Sequence, residues 1–175
     1  MPDVLDPTPP DRPSYSPHLR TALVFTGTGT AGAYHAGVLR ALHEAGFTDR
    51  LLDPSQGREL LRRRIGVTNL VNRATASADE LDVADYERGG RRIAAKVRRY
   101  RPKIVAFVGM GAYRVAFGRP RARGGPQEER LAGTIIWVLP NPSGRTAGYQ
   151  MPALARAFRE LRESLSSGTL SGPGR

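Results

Sequence analysis

The sequence predicts an α/β protein, a three-layer α/β/α sandwich around a short, mainly parallel, four-stranded central sheet. Two observations point there. Four short apolar runs lack the strict alternation of a half-solvated sheet, as strands buried on both faces do. Segments of helical period separate them, and strands alternating with helices imply right-handed parallel crossovers.

The runs are TALVFTG at 21–27, RIGVTNLV at 64–71, KIVAFVG at 103–109 and TIIWVLP at 134–140. After the first strand, the segment 38–45 has Leu39 and Leu42 on one side and stops before Gly46. A short helical piece, ELLRRR at 59–64, precedes the second strand. Residues 83–100 group Ile93, Ala94 and Val97 on one side, with arginines spread around the rest. From Met151, the spacing of Leu154, Phe158, Leu161 and Leu165 makes an apolar stripe that closes on the core. In a parallel sheet of this kind ligands sit beyond the carboxyl ends of the strands. The loops after Phe25, Leu70, Gly109 and Leu139 are therefore where chemistry is expected.

A chain of 175 residues and 19.0 kDa has room for one domain with a substantial core. Six of the 14 prolines fall in residues 1–18, which reads as a flexible arm, and 166–175 reads as a flexible Gly/Ser tail. The folded domain is expected over 19–165. A formal charge of +11 asks for a polyanionic partner. The chain has no cysteine, which excludes a disulfide framework and a thiolate nucleophile, and its histidines, His18, His35 and His43, have no metal-site spacing. No metal is expected. No apolar run is long enough to span a bilayer, and the first residues do not read as a signal peptide. A soluble intracellular protein with no membrane partner is expected.

After the first strand, Gly27, Gly29 and Gly32 match a G-x-G-x-x-G turn. A dinucleotide site also needs a second strand ending in an acidic residue, whereas Asp49 and Asp53 lie in a loop-like stretch. A nucleotide-binding domain remains an alternative.

The fourth strand runs into LPNPSGRTA at 139–147. With AGFTDRLL at 45–52, GVTNLVNRATASADEL at 66–81 and GGRRI at 89–93, the chain resembles the mismatch-specific uracil/thymine-DNA glycosylase family, over about two-thirds of its length. The resemblance implies a monofunctional DNA-repair glycosylase. Such an enzyme flips uracil, mispaired thymine or another damaged pyrimidine out of DNA and hydrolyses the N-glycosidic bond, leaving an abasic site. It implies no cofactor, a monomer, and double-stranded DNA with uracil or a mismatched base as partner, with single-stranded DNA a further form. An enzyme of this kind is expected in the cytoplasm, associated with the nucleoid.

The residue chemistry fits that implication. Acting on a base requires a phosphate grip, a wedge for the vacated stack and a snug pocket. The resemblance places the wedge on Pro142, Ser143, Gly144 and Arg145, and the base pocket on Gly27, Thr28, Tyr34, His35 and Asn141. Tyr34 and His35 offer ring faces on which a pyrimidine can stack. Relatives carry G-I-N-P-G after the first strand, whose asparagine places the attacking water, but here that position reads Gly27, Thr28, Gly29, Thr30. A carboxylate could orient water and stabilise the positive charge developing on the sugar. Asp82 and Asp79 are the candidates, with Glu80 and Asp85 nearby. Asp82 is equally readable as a helix N-cap. The first-motif departure keeps open a DNA-lesion-binding relative that has lost catalysis.

Overall fold

The computed structural model describes residues 21–26, 31–72, 81–142 and 147–167. In order the elements are β1 (Thr21–Phe25), α1 (Ala31–Glu44), a 3₁₀ turn (Pro54–Gln56), α2 (Glu59–Arg62), β2 (Ile65–Asn69), α3 (Val83–Tyr100), β3 (Ile104–Val108), α4 (Met110–Phe117), β4 (Gly125–Leu131), β5 (Thr134–Leu139) and α5 (Ala147–Ser166). The strands form one sheet ordered β2-β1-β3-β5-β4. β1 pairs in parallel with β2 and β3, β3 pairs in parallel with β5, and β4 runs antiparallel to β5.

β3 and β5 are buried at every position, as continuous apolar runs require. Alternate side chains feed two cores. Leu23, Ala106 and Trp137 belong to one, with Leu42 of α1 and Phe158 of α5. Val24, Phe107 and Val138 belong to the other, with Ile93 of α3 and Tyr113 of α4. This is the expected three-layer sandwich. Each of the valine, leucine, isoleucine and phenylalanine side chains among these, fully buried, contributes roughly 1.5–3 kcal/mol relative to exposure.

The sheet has five strands rather than the four expected. β4 (GPQEERL) has a burial pattern that alternates between exposed and half-buried, so no apolar run announces it. That polar make-up suits an antiparallel edge strand, where charge discourages pairing with another chain. Ala132 and Gly133, with φ of 50° and 84°, connect β4 to β5 in a two-residue hairpin of the kind whose twist matches its strands. The basic stretch 119–130 is therefore partly strand. Arg119 pairs with Glu129 at 2.6 Å, and the Arg114 guanidinium donates to the Ala122 carbonyl at 2.6 and 3.0 Å. α4, eight residues long, was also unanticipated. α5 begins at Ala147, four residues before the expected start at Met151, and continues through Pro152. Proline lacks the N–H for one helical bond, and near the start of the helix that loss is tolerated.

The crossover from β1 to β2 passes through α1 on one face, and that from β2 to β3 through α3 on the other. The parallel strands are thus added first to one side of β1 and then to the other, so the strand order switches between β1 and β3. Such a switch point opens a crevice at the carboxyl ends of the two strands.

Candidate active site at the switch point

The floor of this crevice is built around one carbonyl. Beyond the last β1–β3 pair, Phe25 with Val108, the Thr26 hydroxyl donates to the Val108 carbonyl at 2.6 Å. The Tyr34 hydroxyl donates to the same oxygen at 2.6 Å and accepts from the Thr26 N–H at 3.3 Å. Tyr34 thereby ties the first turns of α1 to the ends of β1 and β3. The next residue, Gly109, has φ of 129°, and a Cβ there would lie 2.0 Å from the Thr26 hydroxyl oxygen. Only glycine fits both the backbone and the space. Its N–H donates to the Leu139 carbonyl at 3.0 Å, which fixes the end of β5.

Above the floor stands a half-buried aromatic group. The His35 ring lies edge-on to Phe25 at 4.9 Å, and Tyr34 meets Phe25 at 5.7 Å and His35 at 6.0 Å. A Cβ on Gly37 would sit 3.4 Å from Pro142 Cβ, so the loop after β5 lies against α1 within one turn of Tyr34 and His35. Asn141, beside Pro142, is exposed. The fold thus brings Pro142, distant in sequence, against the part of α1 that carries Tyr34 and His35.

The loop after β2 is anchored from the opposite layer. The Leu70 N–H donates to the Phe25 carbonyl at 2.8 Å. Arg92 of α3 donates to the Leu70 carbonyl at 2.7 Å, the Asn72 side chain at 3.2 Å and the Asn69 carbonyl at 3.3 Å. A Cβ on Gly89 would lie 2.2 Å from the Leu70 carbonyl oxygen, and one on Gly90 2.6 Å from that of Ala116. The glycine pair therefore lets α3 press against both backbones.

Asp82 caps α3. Its carboxylate accepts from the Asp85 N–H at 2.7 Å, the Asp85 carboxylate accepts from the Asp82 N–H at 3.3 Å, and Arg88 pairs with Asp85. This capping box accounts for the D-x-x-D spacing. Asp82 itself is exposed, and no described contact joins it to Tyr34 or His35. Gly27, Thr28, Asp79, Ser143, Gly144 and Arg145 lie outside the described residues. Among the described residues no cluster of acidic residues and histidines could hold a metal, and no helix is long and apolar enough to cross a membrane.

Sequence reasoning missed Thr26, Gly37 and Arg92. A threonine after a strand and an arginine among many on a helix give no local signal, because their partners lie up to 82 residues away. Gly109 was read only as the end of a strand.

The family model described as the uracil DNA glycosylase superfamily matches residues 14–165.

Proposed function

Because the chain belongs to the uracil DNA glycosylase superfamily, and with it to the DNA glycosylases, we propose that it is a monofunctional enzyme that removes uracil from DNA, with preference for uracil or thymine mispaired with guanine. The observation that supports this best is the convergence at the β1–β3 switch point. There Tyr34 and His35 lie within one helical turn of Gly37, against which Pro142, the first proposed wedge residue, packs.

The target nucleotide leaves the stack and its base enters the crevice, bounded by Tyr34 and His35 with Asn141 at the rim. Gly27 and Thr28 complete the pocket. Pro142, Ser143, Gly144 and Arg145 occupy the vacated space and meet the widowed guanine; arginine can both stack and bind phosphate. The bond between N1 of the base and C1′ breaks with its electron pair going to the base, so positive charge grows on the sugar. Water adds to C1′ and loses a proton, giving free base and an abasic site. A carboxylate near the sugar, Asp82 or Asp79, stabilises the cation and accepts that proton. No cofactor takes part. The protein works as a monomer on double-stranded DNA, with single strands a further substrate, and in the cytoplasm with the nucleoid.

The capping box at Asp82 favours a second reading, a lesion-binding relative without catalysis, because a cap by itself explains that residue. One set of labelled duplexes separates the two. Base release faster from G:U than from A:U, with G:T slower and G:C inert, supports the mismatch-directed enzyme. Equal rates on G:U and A:U remove the mismatch preference. Retarded mobility with no base release supports the second reading.

A further inference from the structure

A second concavity lies away from this crevice, between α3 and the β2–β1 edge of the sheet, with a volume of about 340 Å³. That is within the range of small-molecule sites, about 300–1,000 Å³. It reaches Ala22 and Gly66, which are register partners near the start of β1 and β2, and Pro102 just before β3. Its lower part therefore faces the amino ends of the strands, opposite to Thr26 and Val108. The floor is apolar, built by Val24, Val67, Val105, Ile93 and Val97.

The rim has one sign of charge. Arg92, Lys96 and Arg99 line it, and no acidic residue does among the described residues. None of the three forms an ion pair among the described residues. The half-buried Lys96 ammonium donates to the Thr68 hydroxyl at 2.6 Å, and Arg92 Nε is buried with no hydrogen-bond partner. A buried donor left unpaired is costly, and two cations sharing a partly desolvated wall lack their counter-charge. Burial and the neighbouring Arg92 hold the Lys96 ammonium below its ordinary pKa, the same imbalance seen from the proton's side.

We propose that this cleft binds a small amphipathic organic anion, with its apolar body against the valines and its carboxylate, sulfonate or phosphate between Lys96 and Arg92. The two halves of the site require both features. A phosphate backbone would use the rim alone, and a neutral hydrophobe would leave the cations without a counter-charge.

The test uses the full chain and two fluorescent probes of similar body, 8-anilinonaphthalene-1-sulfonate and the uncharged N-phenyl-1-naphthylamine. The anionic probe should bind saturably at one site, and Lys96→Met should weaken it by about tenfold or more, the worth of one charge-assisted hydrogen bond. Affinity for the uncharged probe should be unchanged by the substitution. Arg99→Gln, on an exposed helix position, should also weaken the anionic probe and serves if thermal melting finds Lys96→Met unfolded. A saturating abasic duplex should leave the probe in place. Equal sulfonate affinity in parent and folded variants, or displacement of the probe by the duplex, overturns the proposal.

Discussion

Gly109 and Thr26 share a space that admits no additional atom, since a Cβ at 109 would stand 2.0 Å from the threonine hydroxyl oxygen. Gly109→Ala must break the Thr26 bond to the Val108 carbonyl or move the end of β3, and it strains a positive φ besides. The combined cost of overpacking and strain is about 3 kcal/mol or more. Urea unfolding measures it, and a variant within about 1 kcal/mol of the parent contradicts the packing described. Asp82 offers a contrasting substitution. Asn caps a helix about as well as Asp, so Asp82→Asn should keep the melting temperature. If the charge of Asp82 stabilises the sugar cation, base release should slow about 100-fold or more. A parent rate assigns Asp82 to capping alone. Asp79→Asn and Asp85→Asn are the controls; the second disturbs the same capping box through Asp85, which also pairs with Arg88. Parent rates in all three remove the carboxylate from the mechanism and leave water placement to the pocket's polar groups.

At the scale of elements, Pro142, the first of the proposed wedge residues, lies against Gly37 of α1, the helix that carries the proposed pocket residues Tyr34 and His35. Arg145→Ala should therefore leave the fold intact while slowing base release and weakening affinity for abasic DNA. Unchanged values for both reject the wedge assignment. The central strands were legible in the sequence because burial on both faces leaves a nearly uninterrupted apolar run, as in IVAFV of β3, whereas β2, at the sheet edge, is buried only at its start. α3 was legible through its D-x-x-D start and the Ile93–Val97 stripe. β4 was not, because an edge strand with a polar outer face has no such run, and its hairpin uses Ala132 and Gly133 in place of a stronger turn signal such as Asn-Gly. At the site, the ring residues Tyr34 and His35 and the loop of Pro142 were readable as motifs. The Thr26–Tyr34–Val108 junction was not, since hydrogen bonds across 74 and 82 residues leave no local pattern. The glycine pair in GGRRI is visible as a motif, but its physical reason, close approach to Leu70 and Ala116, needs the packed helix.

At the scale of the whole molecule, the +11 charge governs how DNA is met. Neutralised phosphates release counterions, so binding should weaken by orders of magnitude between about 50 and 200 mM salt if six or more phosphates are gripped. A flat response in a titration with a labelled duplex contradicts the electrostatic grip. In the proposed mechanism such binding supplies encounter and orientation, and the crevice between β1 and β3 supplies the chemistry. The central claim, that this crevice releases a base without cutting the strand, is tested most directly by incubating the protein with a duplex holding one G:U pair. Free uracil and strand scission should then be assayed separately. Uracil should be released in equal number with abasic sites, and strands should break at that position only after alkali. Intact uracil after prolonged incubation with bound protein, or breakage before alkali, contradicts it.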